Sequence, residues 1–249
     1  MNLIELEGVY KIYKKGEFAI KNLNFYLENN EFIAVMGPSG SGKSTFLNIC
    51  YGMTKPSAGK VKIYNKNISN FSEEEITIFR RNNLGCIFQD FRLLDYLNVK
   101  DNIILPLTFL NKKNGEMKSK LKFLSEFLNI KDILHKNIFE ISGGEKQKVA
   151  IARALITEPK VLFADEPTGS LDFKSSDDVM KLMKKIQTQM NTTIFMVTHD
   201  PYIASFSNRV IFLRDGEIYN EIYKGESNKQ FYREILDVLS FLGGNDYEF

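Results

Sequence analysis

FIAVMGPSGSGKST, residues 32–45, governs how the rest of the chain is read. Residues 32–36 are apolar throughout, the pattern of a strand covered on both faces. Gly37 to Thr45 then fit the spacing G-x-x-x-x-G-K-[ST], between that strand and a helix predicted to begin at about Lys43. The chemistry follows from the residue types. Glycines let backbone N–H groups turn inward around phosphate oxygens, and a helix that starts at the loop points its positive end at the same anion. The cradle is Gly37, Pro38, Ser39, Gly40, Ser41 and Gly42. Lys43 reaches the outer phosphates, the Ser44 hydroxyl ligates magnesium, and Thr45 closes the motif.

Outward from this loop, strand and helix patterns alternate, which predicts an α/β fold with a largely parallel sheet. Residues 2–12, 22–28, 61–65 and 84–89 read as further strands. Ser72 and Glu75 have the spacing of a capping box, which predicts a helix to about Arg81. From about residue 90 to 157 the pattern is helical. Residues 111–120 (NKKNGEMKSK) are expected as a loop, and Leu121, Leu124 and Leu128 as a packing stripe. VLFAD (161–165) and TTIFMVTH (192–199) are buried strands, and RVIFLRDGEI predicts a hairpin turning at Asp215-Gly216. Ser227 caps a last amphipathic helix over 228–241.

Two further segments carry chemistry. Val161 to Glu166 is an apolar strand ending in two carboxylates. Alternation along a strand would send them to opposite sides, with Asp165 holding magnesium through water and Glu166 polarising an attacking water. Ile141-Ser142-Gly143-Gly144-Glu145 opens a helix with small residues, a second anion site in one chain.

With these segments the chain resembles the ABC ATPase subunits over essentially its whole length. The resemblance implies a P-loop NTPase fold of ABC type, forming a single domain over 1–249. Its core sheet is mostly parallel, with an antiparallel β subdomain and a helical subdomain inserted at about 90–157. It implies ATP as substrate, with Mg2+. The family pattern Leu-Ser-Gly-Gly-Gln has Ile141 and Glu145 as departures here, and Glu145 adds a negative charge near a site built for phosphate. The resemblance further implies that Ser142, Gly143, Gly144 and Glu145 cap the ATP of a partner subunit. Gln89 then touches magnesium and the attacking water, and the loop Ser170-Leu171-Asp172 crosses a dimer interface. His199 contacts the γ-phosphate, and Tyr13 stacks under adenine, with Tyr10 the competing candidate. His135, Cys50 and Cys86 are read as structural.

Residues 89–99 (QDFRLLDYLNV), then 101–107, resemble the bacterial ATPases of macrolide, lipoprotein and antimicrobial-peptide systems. The tail from Ile235 (ILDVLSFLGG) is similar to the bacitracin-type peptide-resistance branch. That implies an ATP-dependent homodimer driving a multi-spanning membrane permease. A lipoprotein-release or cell-division-type ATPase, working or anchoring without moving a substrate, is the alternative. Phe91, Leu93, Leu94, Tyr96 and Leu97 are expected to form the permease docking groove.

Composition sets limits on these readings. The chain has 249 residues, 43% hydrophobic and 26% charged, enough for one sizeable core. Lys+Arg at 33 against Asp+Glu at 31 leaves a net charge of +2, which argues against nucleic acid as a partner. Cys50 and Cys86 have no nearby Cys or His partner, which fits a reducing cytosol. No apolar run reaches membrane-spanning length, so the expected location is cytoplasmic, on the inner face of the cell membrane through the permease.

Overall fold

A computed structural model describes residues 2–13 and 16–243. The chain order is β1 (Asn2–Ile12), β2 (Phe18–Glu28), β3 (Phe32–Met36), α1 (Lys43–Cys50), β4 (Ala58–Ile63), β5 (Lys66–Asn67), α2 (Glu73–Asn83) and β6 (Leu84–Ile87). Then come α3 (Val99–Phe109), α4 (Asn114–Phe127), α5 (Gly143–Leu155), β7 (Val161–Asp165) and α6 (Phe173–Met190). The last elements are β8 (Thr193–Val197), α7 (Pro201–Ala204), β9 (Arg209–Arg214), β10 (Glu217–Tyr223) and α8 (Asn228–Gly243). Two compact units emerge: the residues up to Thr77 together with those from Thr193 onward, and Ile78–Thr192.

In the first unit β3 is central. It runs parallel to β8, with Phe32 opposite Ile194, and parallel to β9, with Ala34 opposite Val210. Every residue of β3 and β8 is buried, as strands covered on both faces must be. β10 returns antiparallel to β9 through Asp215 and Gly216, both at positive φ (51° and 83°) as a two-residue hairpin requires. A second, antiparallel sheet has the order β2-β1-β4-β5. Between them lies an edge-to-face cluster: the Phe25 ring is 4.9 Å from Phe46 and 5.9 Å from Phe195, and Phe46 is 5.1 Å from Phe195. Phe46 belongs to α1, so this cluster fixes the helix that follows the phosphate loop.

Arg209 is the largest side chain buried in this unit, at 1% exposure. Its guanidinium pairs with Glu31 (2.7 Å) and Glu221 (3.3 Å), and donates to the Tyr26 carbonyl at 2.6 Å. Burial pushes the Glu31 carboxyl above its ordinary value, while a backbone N–H from Glu28 and the Arg209 charge pull it down. Removing one member of such a buried pair costs roughly 3–5 kcal/mol. The pair therefore pins the ends of β2, β3, β9 and β10 together.

In the second unit β6 and β7 are parallel, with Leu84 opposite Val161. Helices α3, α4 and α5 lie between them in sequence. Two local expectations change here and in the first unit. The strand at 61–65 ends at Ile63, and Tyr64 and Asn65, at φ 51° and 61°, form the turn into β5. Residues 114–120, expected as loop, are the first half of α4. Gly115 sits in the first turn, where backbone N–H groups have no helical partner in any case. Glu116 pairs with Lys112 at 3.2 Å and Lys120 at 3.4 Å, and Leu121 and Leu124 bury the inner face. The capping box at Ser72 and Glu75 forms, with the Ser72 N–H donating to Glu75 at 2.8 Å and the Glu75 N–H to Ser72 at 3.2 Å.

Candidate functional site

The first unit holds the phosphate loop. β3 ends at Met36 and α1 begins at Lys43, so residues 37–42 make the turn between them. Gly37 has φ 150° and Gly42 has φ 101°, values that L side chains rarely adopt. A Cβ at Gly37 would run into the Leu213 carbonyl, and one at Gly42 into the Ala19 carbonyl. The hairpin turn reaches the same place: the Gly216 N–H donates to the Ser41 carbonyl at 3.1 Å, and the Lys21 N–H donates to the Gly216 carbonyl at 2.9 Å. Lys43 Nζ donates to the carbonyls of Gly37 (2.9 Å) and Pro38 (2.8 Å), which holds the ammonium over the loop. Ser41 Oγ, within the cradle, is buried and has no hydrogen-bond partner among the described residues.

Tyr13 is 47% exposed, and its hydroxyl lies 3.4 Å from Thr45 Oγ1, at the loop's end. The Lys11 ammonium sits 5.1 Å from its ring centroid. Tyr10 is half-buried and packs edge-on against Phe18 at 6.5 Å. Of the two tyrosines, Tyr13 is the one presented beside the loop. His199 is exposed and lies two residues past the end of β8 at Val197. Its neighbours are fixed: the Asp200 N–H donates to Thr198 Oγ1 at 3.1 Å, and Asp200 caps α7 by accepting from the Tyr202 N–H at 2.7 Å.

The second unit holds the carboxylates and the ISGGE segment. Asp165 ends β7. Glu166 has φ 50°, and the Gly169 N–H closes a turn on its carbonyl at 3.0 Å. The strand alternation expected to separate the two acids therefore stops at Asp165, and a left-handed turn directs Glu166. Gln89, two residues beyond β6, lies against this turn. Its carbonyl accepts from Ser170 Oγ at 3.1 Å, and its amide would be 3.1 Å from a Cβ on Gly169. Asp172 caps α6, accepting from the Ser175 N–H at 2.9 Å, and that hydrogen bond lowers its carboxyl below the ordinary value.

Ser142 caps α5. Glu145 Oε2 accepts from both the N–H and the hydroxyl of Ser142 at 2.8 Å, and the Glu145 N–H returns to Ser142 Oγ at 3.3 Å. A Cβ on Gly143 would be 3.4 Å from Leu171, and one on Gly144 3.3 Å from Ser175 Oγ. The ISGGE segment and the loop through Asp172 thus share one packed corner. Cys50 and Cys86 have thiols pushed up by burial, with the Asp165 charge adding to the effect at Cys86; neither is a reactive thiolate.

A family model described as ABC transporter matches residues 20–169. The ABC transporter ATP-binding protein YxdL of Bacillus subtilis is 47% identical over 98% of this chain and 96% of that protein. The bacitracin export ATP-binding protein BceA of Halalkalibacterium halodurans is 41% identical, covering 99% of this chain and all 100% of its own length. A dimeric, post-hydrolysis structure of the ATP-binding cassette MJ0796 of Methanocaldococcus jannaschii, bound to ADP and Pi, superposes with TM-score 0.81. It is 37% identical and covers 89% of this chain and 99% of that one. The chain belongs to the ABC transporter family. Its fold is that of the ABC cassette, and it is an ABC-type ATPase.

Several residues that shape this cassette's site carry no signal in the sequence. Buried Gln147 of α5 donates to the Pro167 carbonyl at 2.5 Å, next to Glu166. Arg153 of α5 donates to the carbonyls of Arg92 (2.5 Å) and Phe91 (2.7 Å), just after Gln89. Fully buried Asn102 accepts from the Leu94 N–H at 2.8 Å and donates to the Leu94 carbonyl at 3.0 Å. Hydrophobic periodicity does not report such polar clamps, because they depend on which backbone carbonyls a loop leaves open.

The glycines of the phosphate loop make different demands. Gly40 has φ 79° with open space around its missing Cβ, whereas Gly42 faces the Ala19 backbone. Gly42→Ala is expected to weaken nucleotide binding at least tenfold. Gly40→Ala carries only the left-handed cost of about 1–2 kcal/mol and should weaken it far less. Calorimetric titration of both variants with ATP checks the ranking, and equal losses would contradict it.

Proposed function

We propose that this chain pairs with a second copy around two ATP molecules and powers a multi-spanning membrane permease that exports, removes or senses antimicrobial peptides. The observation that carries the reading is full-length similarity, at 41% identity, to a protein named for bacitracin export, combined with a chain that holds a phosphate loop and an ISGGE helix start in separate units. In a two-fold pair each loop faces the partner's ISGGE segment, an isologous arrangement. ATP then forms part of the interface, and its hydrolysis loosens the pair.

Within each site Lys43 and the backbone of Gly37–Thr45 hold the β- and γ-phosphates, and Tyr13 stacks on the adenine. The hard oxygen donors Ser44 Oγ, Asp165 and Gln89 suit magnesium, which when bound offsets phosphate charge. Glu166 orients and polarises the attacking water, taking up its proton as the oxygen attacks the γ-phosphorus and the bond to the bridging oxygen breaks, releasing ADP and phosphate. His199 contacts the γ-phosphate, and Asp172 lies at the paired surface. The cytoplasmic face of the membrane is the place for this work. Among the described residues no helix is long and apolar enough to cross a membrane, so the contact with the permease must supply the attachment.

That contact is assigned to Phe91, Leu93, Leu94, Tyr96 and Leu97. None of the five is fully buried, and Tyr96 is 81% exposed. The segment is firm without being core, because Asn102 and Arg153 hold its backbone. An exposed apolar loop on a fixed frame suits a helix-in-groove contact.

Three measurements test this function. Glu166→Gln should retain ATP binding, lose at least about a hundredfold in turnover, and become a dimer with Mg-ATP by light scattering. Turnover like that of the unaltered chain would remove Glu166 from its role, and a monomer at saturating Mg-ATP would count against self-pairing. Leu94→Asp and Tyr96→Asp should leave basal ATPase activity within about twofold and abolish co-purification with the permease from detergent extract. A matching fall in the soluble ATPase would move the docking surface elsewhere. Deleting the gene should raise sensitivity to peptide antibiotics such as bacitracin, and unchanged sensitivity would exclude the peptide-antibiotic assignment.

A further inference from the structure

The charge at Glu145 has a consequence for ATP-driven pairing. Ser142 has one hydroxyl hydrogen, and in this structure it is given to Glu145 Oε2 at 2.8 Å. The same carboxylate oxygen takes the Ser142 N–H at 2.8 Å, while the Glu145 N–H occupies a lone pair of the hydroxyl at 3.3 Å. Both hydrogens that Ser142 can donate are thus given to an ionised side chain. Lys136 and Lys148 are the cations whose charge acts on Glu145.

We propose that Glu145 is a positioning residue that acts through Ser142 as an electrostatic brake, raising the ATP concentration at which two copies of this chain close on the nucleotide. The inference rests on the reading that Ser142 meets the γ-phosphate of ATP held by the partner copy. To do so, Ser142 must withdraw its only hydroxyl hydrogen from a carboxylate, a charge-assisted acceptor about twice as strong as a neutral one. The carboxylate then remains within hydrogen-bond reach of that hydroxyl, close to phosphate charge of the same sign. A glutamine at this position keeps the capping box, since its amide oxygen can also accept the Ser142 N–H. It releases the hydroxyl more readily and adds no negative charge. The brake is therefore a property of the carboxylate, separable from the cap that starts α5.

The test compares the Glu166→Gln chain with the double variant Glu166→Gln/Glu145→Gln. Dimer formation is followed by light scattering as Mg-ATP is raised, at low and at high salt. Glu145→Gln should lower the half-saturating Mg-ATP for dimerisation at least tenfold at low salt. The gain should shrink at high salt, as the screening length falls from about 10 Å at 0.1 M to about 3 Å at 1 M. The second variant Glu145→Ala, which removes charge and cap together, should lose the helix start and fall short of Glu145→Gln. Equal thresholds with and without Glu145→Gln overturn the proposal. A gain that does not change with salt overturns its electrostatic basis. Failure of every variant to dimerise at any Mg-ATP concentration overturns the paired-nucleotide reading beneath it as well.

Discussion

Bare backbone packed on bare backbone is the constraint on which the nucleotide half of this cassette depends. The Leu213 and Ala19 carbonyls lie where side chains at Gly37 and Gly42 would begin, so β9 and β2 approach the phosphate loop as closely as peptide groups allow. The loop thereby gains partners for its own polar groups: the Ser41 carbonyl accepts from Gly216, and the hairpin turn is in turn tied to Lys21. Two strands and the hairpin turn therefore constrain the loop from outside, at glycines whose backbone angles suit it. The Phe25, Phe46 and Phe195 cluster completes the arrangement by seating α1, so that its N-terminus and Lys43 stay aimed at one point.

The second unit solves the same problem with polar side chains. Phe91 and Arg92 both have positive φ (59° and 46°), a conformation that costs about 1–2 kcal/mol at each non-glycine residue. Two guanidinium hydrogen bonds from Arg153 to their carbonyls offset that strain, and the Arg92 guanidinium lies 3.9 Å from the Phe88 ring centroid. Asn102 holds the backbone that follows, meeting Leu94, Leu97 and Asn98 with both its amide oxygen and its amide nitrogen. A loop held this way leaves Tyr96 exposed and Phe91, Leu93, Leu94 and Leu97 half-buried on a backbone fixed by hydrogen bonds.

The elements that hold the core were legible because their signals are local. FIAVM, VLFA and IFMV are continuous apolar runs of strand length, and the structure buries them in β3, β7 and β8. The Ser72 capping box and the Asp215-Gly216 turn depend on residues a few positions apart, and both form where the spacing puts them. Residues 114–120 misled because composition was read as structure. Lysines and a glycine look like a loop until Leu121 and Leu124 supply the buried face that makes the segment a helix. Tyr10 and Tyr13 are indistinguishable by type, and what separates them is the Tyr13 hydroxyl beside Thr45 and the packing of Tyr10 on Phe18. The clamps of Gln147, Arg153 and Asn102 were not legible at all, since each meets a backbone carbonyl whose exposure is decided by the fold.

Glu166 shows how far a local rule carries and what takes over. Alternation along β7 would place it opposite Asp165, but the backbone leaves the pleat at that residue and enters a left-handed turn before Pro167. The turn is held by Gln147, which is fully buried and belongs to α5. The same helix begins at Ser142 and Glu145, keeps Gly143 and Gly144 against Leu171 and Ser175, and ends near Arg153, which fixes the backbone after Gln89. One helix therefore touches the carboxylate-bearing turn, the ISGGE corner and the loop after Gln89. Close-packed interiors transmit displacement instead of absorbing it. A displacement at the start of α5 would thus be felt at the carboxylate-bearing turn and at the loop after Gln89 together.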